Sequence, residues 1–284
     1  MHEDANDARG ERNGYDRYDL QTLVTSTELA ALGAVALPGS GDSPPGILGV
    51  TPLLLDGAPA FTLTYDRLEP ARRIAQAPAL TLALHDPRLA RVGWSPLAVP
   101  VRASVEPDPE GERFREDLLE QELRKHPPSR ELANSFLLQR ENWWYLPRLV
   151  VRLEPAEPPC PLVRRTEPSH GLLAWTAGPA EHPGVQTVAV PGPDGERVPV
   201  SPLGEGSPPD GVPAALRLHD LELPEMERSA TLTLAGRLRG DTLAVEHRAG
   251  SAALGPRPGA LARWRWLRSL ERGCKRGLKE GYTP

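Results

Sequence analysis

The pattern of apolar and polar positions is clearest between Thr51 and Asp86, where two strand-like runs flank a short helical stretch. Phe61 to Tyr65 is rich in β-formers and follows the turn signal Asp56, Gly57, Ala58, Pro59. Glu69 to Gln76 predicts a short helix, with Pro70 tolerated near its start and Pro78 closing it. Leu80 to Leu84 predicts a second strand, bounded by Pro78 behind and by Asp86 and Pro87 ahead.

Residues 1–17 lack apolar periodicity and read as a flexible acidic tail. Thr25, Ser26, Thr27 and Glu28, ahead of Leu29 to Leu32, predict a capped short helix or a strand entry, and Val99 to Val105 predicts a strand. Glu112 to Lys125 sets Phe114, Leu118, Leu119 and Leu123 on one helical face, and Ser129 can cap a second helix presenting Leu132, Ala133, Phe136 and Leu137. Asn142 to Pro155 returns to strand chemistry and opens with Trp143, Trp144 and Tyr145; in a chain only 5% aromatic, such a run buries area or walls a pocket. The stretch 154–170 holds five prolines and reads as a semi-rigid surface linker. Six short strands follow, at Leu172 to Thr176, Val185 to Val190, Val198 to Val200, Ala214 to Leu218, Ala230 to Leu238 and Thr242 to Glu246, the spacing of a β-barrel or sandwich. A last helix, from about Gly259 to Leu278, would turn Leu261, Trp264, Leu267 and Leu278 inward and surround them with basic residues.

An internal echo organises these elements. Gly49, Val50 lead to Leu84, His85, Asp86, and Gly184, Val185 lead to Leu218, His219, Asp220, with intervals of 85 − 49 = 36 and 219 − 184 = 35 residues. The match suggests a degenerate duplication of a β-rich unit. The expected organisation is an acidic tail at 1–17, a first unit with two inserted helices at 18–155, a linker at 156–170, a second unit at 171–256 and a basic helix at 257–284.

With 284 residues, two domains fit ordinary domain sizes. No stretch is apolar enough for a membrane span and the acidic N-terminus is unlike a secretion signal, so a cytoplasmic protein without a membrane partner is expected. Cys160 and Cys274 have neither metal-ligand nor redox spacing, and no metal site is predicted. The net charge of −5 argues against a nucleic-acid partner, although residues beyond 257 are basic; that helix could touch nucleic acid or an anionic membrane surface, but pairing with the acidic N-terminus or solvation is the preferred reading.

The order of elements around FTLTY, the short helix, Ala77–Pro78, the apolar strand and the later WWYLPR segment resembles the pyridoxamine 5′-phosphate oxidase-like flavin split barrels, over roughly residues 20–155. The resemblance implies a mainly β protein with accessory helices, a Greek-key split barrel that binds FMN or a deazaflavin beside the barrel at a two-fold interface. That interface would come from a homodimer or from the second unit of this chain. It further implies that Thr62 and Thr64 could supply hydroxyls to the flavin phosphate. The family's paired basic turn positions fall here on Glu69 and Pro70, leaving Arg67, Arg72 and Arg73 as local substitutes. Trp143, Trp144 and Tyr145 could stack on a flavin, or on haem as in haem-binding relatives, although core or interface packing is the preferred reading. Arg217 and His219 resemble the family's Arg-x-His phrase, displaced to mid-repeat.

Two functions are therefore weighed. One is an FMN-dependent oxidoreductase acting on a small molecule, with no catalytic residue assigned. The other is a non-catalytic split barrel that has lost the phosphate site and binds haem, a deazaflavin, another ligand or a protein partner.

Overall fold

A computed structural model describes residues 17–39, 42–85, 94–176, 178 and 181–284, and the side chains from residue 20. Helix α1 (Arg17–Leu29) leads into β1 (Gly33–Leu37), β2 (Gly46–Val50), β3 (Leu53–Leu55) and β4 (Ala58–Thr64). A 3-10 turn (Tyr65–Arg67) and α2 (Leu68–Gln76) precede β5 (Leu80–Leu84) and β6 (Leu97–Asp108). The helical insert holds a π-turn (Phe114–Leu118), α3 (Leu119–Lys125), α4 (Arg130–Ala133) and α5 (Phe136–Glu141), and then come β7 (Arg148–Pro155) and β8 (Cys160–Pro161). The second half runs through β9 (His170–Trp175), β10 (Gly184–Ala189), β11 (Arg197–Pro199), β12 (Ser201–Pro202), β13 (Pro213–Leu221), β14 (Ser229–Arg239) and β15 (Thr242–Gly250) to α6 (Ala260–Glu280).

The strands form two antiparallel sheets, ordered β2-β1-β5-β6-β7-β4-β3 and β11-β15-β14-β13-β9-β10-β12, with β8 on β6. In each sheet the two edge strands are consecutive in the chain, so a short corner joins them: Thr51 and Pro52 in the first, Val200 in the second. The first sheet curls into a nearly closed barrel and the second into a half-barrel. Lys125 holds the first corner, its Nζ donating to the carbonyls of Pro52 (2.6 Å) and Thr27 (2.7 Å) and so satisfying a carbonyl at the C-terminal end of α1.

The five strands β2-β1-β5-β6-β7 recur as β10-β9-β13-β14-β15, and the ladders give their register. Val35 pairs with Leu48 and Leu82, and Leu173 pairs with Gln186 and Leu216. His85 and His219 each lie three residues past Leu82 and Leu216, so they are equivalent. Their rings meet edge to face at 5.8 Å between centroids. The glycine pairing expected from sequence is off by three: Gly184 is equivalent to Gly46, and Gly49 to Thr187.

Burial explains which strands are uniformly apolar. β1 and β5 are buried along their whole length because one face fills the barrel and the other meets the second sheet, where Ala34 and Ala83 pack on Leu172. β14, covered on one face only, alternates. Inside the barrel Val35, Phe61, Leu63, Leu82, Val99, Val151 and Leu153 form one core, and Leu53, Phe114, Leu118, Trp144 and Val150 form another under the helical insert.

Several expectations are corrected. Ser26 and Thr27 lie inside α1, not at its cap, and Thr27 returns its hydroxyl to the Leu23 carbonyl at 2.8 Å. Trp143 to Tyr145 form a 3-10 turn, and the strand starts only at Arg148, beyond Pro147. The second inserted helix breaks after Ala133 and restarts at Phe136, capped by Ser135, which leaves Phe136 and Leu137 exposed. The proline-rich stretch is not merely a surface linker: Arg165 is buried, donating to the carbonyls of His170 and His219. Leu261 and Trp264 of α6 face solvent, while Leu267, Leu270 and Cys274 pack inward. The acidic N-terminus lies outside the described residues; on α6, Arg263 pairs with Glu131, Arg268 and Lys275 pair with Glu271, and Glu280 pairs with Arg72.

Helix α6 is seated by close approach. A Cβ at Gly277 would lie 1.9 Å from the Tyr65 carbonyl oxygen. Gly277→Ala must therefore push the helix off the Tyr65–Arg67 turn and lower the urea midpoint, whereas Gly255→Ala, which faces open space, leaves it unchanged.

Candidate functional site

Strand β4 sends Phe61 and Leu63 into the barrel core and Thr62 and Thr64 to the other side. There they line a cavity of about 210 Å³ together with Leu48, Gly49, Arg67, Glu122, His126, Tyr145 and Arg148. The insert and β7 thus supply the inner wall, and β2, β4 and the 3-10 turn supply the rim.

The inner wall is a buried ion pair. Arg148 Nη2 lies 3.4 Å from Glu122 Oε1, and both side chains are almost fully buried. The guanidinium is sandwiched, its carbon 3.9 Å from the Phe114 ring centroid and 4.1 Å from that of Tyr145. Glu122 also accepts from Ser129 Oγ at 2.7 Å, from Tyr145 Oη at 3.0 Å and from Thr62 Oγ1 at 3.2 Å. Burial opposes ionisation of Glu122, but the Arg148 charge and the hydrogen bonds from Ser129 and Tyr145 outweigh it and hold the carboxyl below its ordinary range. Burial, helped by the Glu122 charge, pushes the Tyr145 phenol well above its usual value, so it stays a donor.

His126 completes the wall. Its Nδ1 is 2.9 Å from Ser129 Oγ. Because the single Ser129 proton goes to Glu122, the serine oxygen must accept from His126, which assigns the proton to Nδ1 and leaves Nε2 a lone pair. Burial lowers the His126 pKa, with Glu122 opposing and Arg148 assisting, so the ring stays neutral at pH 7.

A second arrangement lies at the rim. Arg217 of β13 reaches across from the second sheet onto β2, where a Cβ on Gly49 would come 2.5 Å from its Nη2. Burial first, and then the nearby Arg67 charge, lower the Arg217 pKa. It donates a long hydrogen bond to Thr231 Oγ1 at 3.5 Å, and among the described residues no carboxylate pairs with Arg67 or Arg217. Two like charges lie near each other, Arg67 in the cavity lining and Arg217 against Gly49.

Of the residues singled out from sequence, Thr62, Thr64 and Arg67 share this cavity. Arg72 does not; it pairs with Glu280 at 2.6 Å and the Thr283 carbonyl at 3.3 Å on the C-terminal helix side. Arg73 lies beside Gly46. Trp144 is buried in the core under the insert, and Trp143 is 53% exposed, with the Lys275 ammonium 5.5 Å from its ring centroid. Tyr145, read from sequence as part of an aromatic run that buries area or walls a pocket, does line the cavity, whereas Glu122, His126, Ser129 and Arg148 were missed. A glutamate and an arginine 26 residues apart carry no local signature, though Glu122 interrupts an otherwise apolar helical face.

The FMN fit can be tested on these contacts. Thr62 donates to Glu122, and Thr64 donates to Asp66 Oδ1 at 2.5 Å, so both hydroxyl protons are committed to carboxylates. The ionised Glu122 would repel a phosphate at the inner end. A phosphate does not fit between Thr62 and Thr64; the rim at Arg67 and Arg217 suits an anion. Among the described residues no group of three or more His, Cys, Asp or Glu could hold a metal, and no helix is long and apolar enough to cross a membrane.

No protein-family profile and no curated protein sequence matches the chain. Its structural neighbours are pyridoxamine 5′-phosphate oxidase-like split-barrel proteins, FMN-binding and haem-binding, at low identity. The heme storage protein HutZ from Vibrio cholerae is 12% identical over 50% of this chain and 92% of that one, with a TM-score of 0.33. A heme binding protein from Mycobacterium smegmatis is 15% identical over 94% of this chain and 100% of that one, with a TM-score of 0.31. A pyridoxamine 5′-phosphate oxidase-related, FMN binding protein from Nostoc punctiforme is 10% identical over 77% of this chain and 91% of that one, with a TM-score of 0.28.

Removing one member of the buried pair strands the other charge. Glu122→Gln should cost about 3–5 kcal/mol in urea unfolding, and Glu122→Gln with Arg148→Met should cost clearly less than the two single changes added together. His126 should titrate below the ordinary histidine value of 6.5 in an NMR pH series. Since the folded state then takes the proton less readily than the unfolded chain, its share of stability is complete above that value and is lost as pH falls toward the folded pKa. Replacing His126 with Gln should flatten that acid-side loss.

Proposed function

We propose that the chain is a ligand-binding split barrel in which an acid group of a small planar ligand sits on Arg67 and Arg217, at the groove where the second sheet meets the first. This is the second of the two functions weighed from sequence, without the usual phosphate site. The observation that carries it is the Arg217 guanidinium laid on Gly49 beside Arg67, partly desolvated and without a carboxylate partner among the described residues. Holding two such charges together is unfavourable in the empty protein, and an anion between them reverses the sign. FMN and haem both carry acid groups, so both remain ligands of this class. The neutral His126 offers a lone pair to the buried part of the ligand, and Tyr145 and Arg148 hold the wall rigid. An FMN-dependent reductase is the second reading; with Thr62 and Thr64 committed to Glu122 and Asp66, FMN would have to seat its phosphate on Arg67 and Arg217 as well, and a bound flavin would supply the redox chemistry while the chain would only hold it.

The test is absorbance titration of the purified protein with FMN, riboflavin and haem. Each charge-assisted contact contributes about 1.5–3 kcal/mol, so Arg67→Gln or Arg217→Gln should weaken an acid-bearing ligand about 10- to 150-fold. Riboflavin, which has no phosphate, should be indifferent to both changes. Equal affinity for FMN and riboflavin, together with no binding of haem, would sink the anion assignment.

A further inference from the structure

Six large apolar side chains stand exposed on neighbouring elements: Phe136 (76%), Leu137 (68%), Trp143 (53%), Leu261 (59%), Trp264 (55%) and Trp266 (55%). They belong to α5, the turn after it and the N-terminal half of α6. The Arg263–Glu131 ion pair and the Lys275–Trp143 contact tie α6 to the neighbouring α4 and to that turn, so these elements adjoin, with Trp264 and Trp266, two residues apart, on opposite flanks of the helix. A single exposed leucine needs no explanation, but a cluster of three tryptophans, a phenylalanine and two leucines does.

The charge around them is one-sided. α6 carries Arg263, Arg265, Arg268, Arg272, Lys275, Arg276 and Lys279 against Glu271 and Glu280, a net of 7 − 2 = +5, whereas the whole chain is −5. Both acids are already used, Glu271 by Arg268 and Lys275 and Glu280 by Arg72. The basic residues are exposed, and Arg268 lies 5.8 Å from the Trp264 ring centroid. The helix does not swing free: Gly273 and Gly277 let its C-terminal half press onto Tyr65 and Asp66, so the aromatic half projects from a fixed base.

We propose that this face docks on an anionic lipid surface, with Trp264, Trp266, Trp143, Phe136, Leu137 and Leu261 entering the interface and the arginines meeting the headgroups. The observations favour lipid over two other occupants. A second copy seated on the same face would bring two +5 helices together. A nucleic acid strand stacks its bases on rings, which leaves Leu137 and Leu261 without a use, whereas leucine, phenylalanine and tryptophan interleaved with arginine suit the boundary between headgroups and acyl chains. The sequence reading preferred solvation or pairing with the acidic N-terminus for this helix; the exposed aromatic side chains, which that reading had turned inward, favour the peripheral membrane contact in its place.

The test is flotation of the full chain with phosphatidylcholine vesicles, with and without phosphatidylserine. Binding should require phosphatidylserine, fall with salt and shift tryptophan emission to the blue. Arg265→Gln with Arg276→Gln, neither of them ion-paired among the described residues, should weaken it about 30-fold. Trp264→Ala with Trp266→Ala should abolish flotation while leaving the urea midpoint unchanged, because both rings are exposed in the folded protein. No flotation with anionic vesicles, binding to single-stranded DNA in their place, or dimerisation through this face would each overturn the proposal. None of these outcomes touches ligand binding at Arg67 and Arg217.

Discussion

The arrangement of the site depends on one buried ion pair. Arg148, the first residue of β7, and Glu122, on the helical insert, must meet in a place with almost no access to water, and such a pair tolerates little displacement because each charge alone is costly there. Every nearby polar group is drawn into the solution. Ser129, Tyr145 and Thr62 turn their hydroxyls onto Glu122, Phe114 and Tyr145 close over the guanidinium, and His126 is oriented through Ser129. The pair therefore ties the insert to the barrel and shapes the inner wall of the cavity.

The duplication divides the work between the two halves. β6 and β7 are separated by the helical insert, whereas their equivalents β14 and β15 are joined by Gly240 and Asp241 alone. The cavity beside Thr62 and Arg148 is walled by the first half, while Arg217, from the strand equivalent to β5, lies against Gly49 of its lining, and the two halves meet where His85 touches His219.

Much of the β framework was legible because its signals are local. Leu80 to Leu84 is apolar but for Thr81, lies between prolines and is a strand buried on both faces, and the shared Leu-His-Asp phrase marked His85 and His219 as equivalent, although the glycines from which their spacing was counted are not. The errors arise where tertiary contacts override local chemistry. Ser129 has the right place and type for a helix cap, yet its hydroxyl serves Glu122. Arg72 and Arg73 sit as near Thr62 in sequence as a phosphate site requires, but α2 turns them away, toward Glu280 and Gly46. Arg217 was set aside because it lies in mid-repeat; only the fold brings it onto Gly49. Trp264 was expected inside because its helix needs an apolar face, and Leu267, Leu270 and Cys274 supply that face instead.

The most direct test of an anion seat shared by the two halves is a crystal structure of the protein grown with FMN or haem. The account predicts an acid group of the ligand within about 2.7–2.9 Å of both the Arg67 and Arg217 side chains, with the Glu122–Arg148 pair intact. A ligand whose acid group lies between Thr62 and Thr64, with Glu122 displaced and Arg217 untouched, would contradict it.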